Sequence, residues 1–264
     1  DGGRVKPNTR LVTGQAVRLP PLPAAAEVPT PRTHSPVSDQ DAEMLRQVVI
    51  FRDDHVLALN KPPGLAVQGG TNTPRHIDGM ADALRFGAAD RPKLVHRLDR
   101  DTSGVLLLAR SGRAAKALAA AFQSRETRKV YWAVVAGQPR PLAGTVRYGV
   151  VKAPGGQGEK MVAVHPDEVA STDGARRATT EYWTIAQAAK RTSWVGLMPI
   201  TGRTHQLRVH MAALGCPIAG DVKYGTNRQT NDGDGWGAQL GGAVSRKLHL
   251  HARQLSFRHP MTGA

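Results

Sequence analysis

Residues 94–110 read LVHRLDRDTSGVLLLAR. The run Val105–Ala109 has the length and branching of a buried strand, and Thr102-Ser103-Gly104 makes a turn into it. One carboxylate, Asp99, stands between Arg97 and Arg100 just ahead of that turn, so the stretch aims a charged loop from the end of a rigid element. Guanidinium groups on both sides favour the ionised carboxylate. Two readings of Asp99 stand side by side. It is a nucleophile or permanent counter-ion, or it caps a turn and pairs with a neighbouring arginine, a common surface arrangement worth little.

Composition narrows the partners. A chain of 264 residues, 40% hydrophobic, buries a full core in one large domain with at most a small appendage. Its 36 Lys and Arg against 21 Asp and Glu give a formal charge of +15, which points to a polyanion. No stretch approaches the ~18–20 continuous apolar residues of a spanning helix. No signal peptide is legible, so nucleic acid is favoured over a membrane and a cytoplasmic setting is expected. The single cysteine, Cys216, excludes an intramolecular disulfide and a thiolate-built zinc site. Aromatics, at 5%, are too few for a single-strand binder built on stacking platforms.

Along the chain, residues 1–19 read as two short strands with bends at Pro7-Asn8 and Thr13-Gly14, and residues 20–45 as a proline-rich linker that runs into one or two helical turns at Asp41–Arg46. Residues 46–264 form the main domain. Val48–Phe51 and Val56–Asn60 pair as strands and lead into Lys61-Pro62-Pro63-Gly64, where the lysine is presented rigidly for a phosphate contact or marks a surface turn. A helix is expected within Ile77–Phe86. Ser111 caps another that runs to about Ser124 with Ala114, Leu118, Ala121 and Phe122 inward. Arg125–Val135 reads as a strand with Lys129 and Tyr131 on one face, where a tyrosine is ordinarily a packing residue. Gly149–Gly174 is loop-rich, and Ala178–Ile185 and Trp194–Pro199 are strands that pair antiparallel.

The second informative stretch, Thr201–Gly225, reads TGRTHQLRVHMAALGCPIAGDVKYG. Thr204 suits a helix N-cap, Leu207, Met211 and Leu214 form an inward stripe, and Gly215 suits the C-terminal cap. Arg208 then points about 100° from the stripe and flanks the core. His205 and His210 are five apart with no HExxH pattern, which argues against a metal; no glycine-rich loop ends in Gly-Lys-Ser/Thr, which argues against a nucleotide cofactor. Exposed Arg203, His205 and His210 facing RNA phosphates explain the pattern better. Asn227–Gly242 is a glycine-rich loop. His249 and His251 read as solvated polar positions.

The string HRLDRDTSGVLLLAR resembles the active-site motif of the ribosomal large-subunit (RluA-like) pseudouridine synthases. KPPGLAV, the K-x-Y strand, GRTHQLRVH and the tail Gly220–Gly225, GDVKYG, follow the same family in order over residues 46–264. Leu248–Ala252 and Phe257–Pro260 resemble its final strand pair, and residues 1–19 resemble the closing half of an S4 RNA-binding domain. The resemblance implies an α+β fold with a long mixed, mainly antiparallel sheet, flanking helices and a central cleft. It implies Asp99 as the catalytic residue, Tyr131 beside the target base and Arg208 contacting the aspartate. The substrate-binding set expected around them is Arg97, Leu98, Leu207, Lys61, Arg203 and His205, with no metal and no cofactor. It further implies a monomer that converts uridine to pseudouridine in RNA, above all large-subunit ribosomal RNA. Transfer RNA as substrate stays open. So do a glycosidase drawing a second carboxylate from Asp101 or Asp221, and a non-catalytic RNA-binding or ribosome-assembly protein.

Overall fold

The computed structural model describes residues 10, 12–16, 37–70, 73–124, 126–155, 160–188, 191–225 and 245–263. It divides into two compact units, Asp1–Ser35 and Pro36–Ala264. In the first, the Thr13-Gly14 bend is a turn closed by Gln15 N–H on the Val12 carbonyl at 3.1 Å, with Gly14 at φ +95°. The strands read on either side of it, and the linker up to residue 36, lie outside the described residues.

The second unit begins with helix α1 (Asp39–Gln47), whose first turn is capped by Ser38. It continues through β1 (Val49–Arg52), β2 (Val56–Lys61), α2 (Ile77–Met80), a 3₁₀ turn at Ala81–Leu84, β3 (Lys93–Leu94), β4 (Ser103–Ala109), α3 (Gly112–Gln123) and β5 (Arg128–Ala136). The second half holds β6 (Ala143–Val146), β7 (Gly149–Lys152), β8 (Met161–Val164), β9 (Thr180–Ala188), β10 (Thr192–Pro199), α4 (Gln206–Ala213) and β11 (Leu250–Ser256). Nine strands form one sheet in the order β1-β2-β4-β11-β5-β10-β9-β6, with β3 against β4. Among these strands of the described residues only β4 and β11 pair in parallel, so the sheet is mixed and mainly antiparallel.

The apolar run of β4 is continuous because both of its faces are covered. Leu106 and Leu108 enter one core with Leu57, Leu59, Ile77 and Leu84, while Leu107 and Ala109 enter another with Ala114 and Leu118 of α3. Ser111 caps α3 by accepting the Ala114 N–H at 3.2 Å. Gly104 has φ +105° and lies against the Ala252 backbone of β11, where a Cβ has no room. The seam between the two halves of the sheet therefore closes tightly where the Asp99 loop leaves it.

One expectation is completed and one corrected. Gly149–Gly174 is loop-rich as expected, but β7 and β8 within it pair as a small second sheet. Phe257–Pro260 is not a strand: the chain leaves the sheet after Ser256, Phe257 packs on the α3 core, and the His259 ring meets the Asp53 carboxylate at 3.1 Å. Asn227–Gly242 lies outside the described residues. No helix among the described residues is long and apolar enough to cross a membrane.

Candidate active site

The cores of the two sheet halves meet at Tyr131, which packs against both. Above this junction lies a cleft of about 860 Å³ lined by Asp99, Tyr131, Leu207, Arg208 and a basic set, Arg97, Arg128, Lys129 and Arg203. Asp99 is placed by a turn in which the Thr102 N–H donates to the Asp99 carbonyl at 3.1 Å. Its carboxylate is 29% exposed, open enough for a ligand to reach it.

The flanking arginines do not hold that carboxylate. Arg97 is exposed, with Nη2 reaching Thr204 Oγ1 at 3.4 Å, and Arg100 donates to the Gly64 carbonyl at 3.1 Å. The nitrogen groups facing the Asp99 carboxylate within 4 Å come from the second stretch: Arg208 Nη1 at 3.9 Å and His205 Nε2 at 3.8 Å from Oδ2.

Arg208 is not a flank of the core but buried, 4% exposed. It donates from Nε and Nη2 to the two oxygens of Asp221 at 2.8 and 2.7 Å, a bidentate clamp that leaves Nη1 directed at Asp99. Burial works against its charge, but the hydrogen bonds and charge of Asp221, with Asp99 behind them, outweigh it and push Arg208 up. Both oxygens of Asp221 are thereby taken, so it is no free second carboxylate of the kind a glycosidase uses.

The other expected site residues divide. Leu207 and Leu98 are buried walls of the cleft, and Arg203 is exposed on its rim. Lys61 faces no solvent at all and so is not placed to contact phosphate. Its ammonium donates to the carbonyls of Pro62, Leu65 and Arg100, each at 2.9 Å, and so ties the Pro62–Leu65 loop to the Asp99 turn. His205 and His210 are also buried rather than facing phosphates. His210 donates from Nε2 to the Tyr148 carbonyl at 3.0 Å and receives the Thr180 hydroxyl on Nδ1 at 2.9 Å. Thr204 is not the N-cap; His205 occupies that position with φ +52°, and Gln206 receives the Arg203 N–H on its side chain at 3.1 Å.

His96 was not singled out from sequence, yet it anchors the loop from behind. Its Nε2 accepts the Leu107 N–H of β4 at 2.9 Å and its ring stacks on Phe122 at 4.5 Å. Burial, helped by the Lys129 charge, lowers it to about 3, so it stays a neutral acceptor. Its position three residues before Asp99 in a charged run resembled that of a surface residue.

Burial lowers Lys61 to about 8, against the pull of Asp101 and Asp99. The unfolded chain keeps the ordinary 10.5, so between pH 8 and 10.5 it binds more protons than the folded one. Wild-type stability should therefore rise relative to Lys61→Met across that window in chemical denaturation; a constant difference would contradict this. The same variant should lose activity ~10-fold or more, because the Asp99 turn loses its tie.

A basic cleft beside a mixed sheet, with one accessible carboxylate among its described lining residues, has the charge and shape to hold a polyanion. Residues 55–213 match the family described as RNA pseudouridylate synthase, and the chain belongs to that family. It is 36% identical over 264 residues to ribosomal large subunit pseudouridine synthase C of Vibrio vulnificus, covering 98% of this chain and 76% of that protein. It is 36% identical over 253 residues to the mitochondrial RNA pseudouridine synthase 3 of rice, covering 84% of this chain and 51% of that one, so the chain spans about half of that relative's length. The solved structure of human RNA pseudouridylate synthase domain containing 4 superposes with a TM-score of 0.64 at 33% identity, covering 81% of this chain and 85% of the human one.

Proposed function

We propose that this chain isomerises uridine to pseudouridine in RNA, with large-subunit ribosomal RNA as substrate and Asp99 as the reacting group. The observation that carries the reading is the accessible Asp99 carboxylate at the centre of the cleft, faced by Arg208 and His205 within 4 Å. The reaction breaks the C1′–N1 bond, turns the freed uracil, joins C5 to C1′, releases the C5 hydrogen as a proton and leaves N1 carrying a proton in its place. It uses no net redox change and no energy input, which is why the reading includes no cofactor. Asp99 attacks the sugar or uracil C6 while Arg208, fixed by Asp221, holds the carboxylate ionised and aimed.

Tyr131 and Leu207 wall the space in which the uracil turns. Burial, reinforced by the Asp99 charge, pushes the Tyr131 hydroxyl up, so the resting side chain is a phenol that offers a ring face and a donor rather than a ready base. Extruding the target base costs a few kcal/mol, which contacts from Arg97, Arg128, Lys129 and Arg203 to flanking phosphates offset. The single buried cysteine suits a reducing cytoplasm, and every residue the reading uses lies in one chain, as a monomer requires.

Incubating unmodified large-subunit ribosomal RNA with the protein should place pseudouridine at discrete positions; modification of transfer RNA alone would replace the substrate half of the proposal. Four phosphate contacts predict that log Kd changes with log salt with a slope of about 3. Neutralising Arg97 and Arg203 together should lower that slope by about 1.5. A flat salt dependence would contradict the binding part of the reading.

A further inference from the structure

We infer that His205 is a positioning residue for Asp99, kept neutral with its proton on Nε2 by a hydroxyl relay from Tyr224. The inference rests on the reading of Asp99 as the reacting group. It starts from strain: His205 is a non-glycine residue in the left-handed region, φ +52° and ψ +18°, at the entry to α4. Such backbone persists only where the surroundings over-determine it. Here they fix the ring, which is 5% exposed, between Tyr224 on one side and Asp99 on the other.

The inferred tautomer follows from which way the Tyr224 hydroxyl points its proton. Tyr224 Oη receives the Met161 N–H of β8 at 2.9 Å, and a backbone amide can only donate. The hydroxyl has one proton, and its second partner is His205 Nδ1 at 2.7 Å. With that proton given to Nδ1 the imidazole proton sits on Nε2, the nitrogen 3.8 Å from Asp99 Oδ2, where it faces a carboxylate; the opposite direction, Nδ1–H to the second lone pair of the hydroxyl, would turn a bare nitrogen lone pair toward that carboxylate. Burial pushes the Tyr224 hydroxyl up, which keeps the donor in place.

Tyr224 is itself set by the clamp that holds Arg208. Asp221 Oδ1 accepts the Tyr224 N–H at 3.2 Å as well as Arg208 Nη2, and the Arg208 guanidinium lies 5.0 Å from the Tyr224 ring centre. One buried carboxylate thus aligns both groups that face Asp99. At 3.8 Å the His205 contact is longer than a hydrogen bond, and it closes when substrate fills the cleft.

The test uses ¹⁵N-histidine-labelled wild type, with the His205 ring signals assigned by their loss in His205→Gln. An unprotonated Nδ1 and a protonated Nε2 are expected, together with loss of that fixed pattern in Tyr224→Phe. A proton on Nδ1, or on both nitrogens, in wild type overturns the inference whatever the activity shows. In turnover, His205→Ala should lose ~100-fold in kcat with KM within about 2-fold, and His205→Gln, which keeps an N–H donor, should recover about a tenth of the wild-type rate. Unchanged kcat in His205→Ala would also overturn it. If Asp99→Asn proves active while the tautomer is as stated, the reading of Asp99 fails and the relay stands as structure only.

Discussion

Replacing Arg208 with methionine is expected to cost about 3–5 kcal/mol of stability, lowering Tm by roughly 10 °C. The side chain is 4% exposed and its partner Asp221 is fully buried, so neither solvent nor salt can take over the lost charge. Asp221 would keep the Lys223 and Tyr224 N–H bonds at 3.0 and 3.2 Å but lose both bonds to the guanidinium. Removing the stranded charge as well, in Arg208→Met with Asp221→Asn, should recover part of the loss, and thermal melts of the four proteins measure the coupling. Additive losses would show that the pair is not a unit. Activity should vanish in Arg208→Met even at temperatures where the variant is folded, because Nη1 no longer faces Asp99.

The second large effect is chemical rather than structural. Asp99→Asn should lower the turnover rate ~10⁴-fold or more, about 5 kcal/mol in barrier, while leaving RNA affinity within about 2-fold. The substitution preserves volume at a side chain that is 29% exposed, and the turn bond it supports comes from the backbone carbonyl, so the fold has no reason to change. Affinity rests on the basic rim, which is untouched. A variant that bound poorly and turned over in proportion would instead mark Asp99 as a structural residue.

Much of the first half was legible because its signals are local. The Val105–Ala109 run, the Ser111 cap and the paired strands around Asp53-Asp54 each follow from a few neighbouring residues, and the structure places elements there with shifts of one or two positions. The errors at Arg208 and His210 share one cause. The two four-residue strands β7 and β8 are too short to show a period beside Pro154-Gly155-Gly156, so the small sheet they form was read as loop. That sheet covers the second side of α4, with Val150 and Val209 in a common core. A helix judged to have one buried stripe is in fact buried throughout Gln206–Met211, which turns Arg208 and His210 from surface cations into interior hydrogen-bonding groups. Lys61 inverted for a similar reason: the chain after Pro62-Pro63 folds back so that three carbonyls surround the ammonium, a long-range closure that spacing alone does not encode. Tyr224 and Asp221 stood in the quoted GDVKYG tail, but their partnership with α4 depends on the same unseen layer.

The central proposal is that one carboxylate, at position 99, rearranges a uridine without letting its base escape. The most direct measurement follows tritium placed at C5 of uridine in ribosomal RNA, counting label released to water and free uracil in parallel, for wild type and Asp99→Asn. Release of label by wild type alone, with no free uracil, is the expected result. Equal release by the variant, or uracil appearing as a separate product, would contradict it.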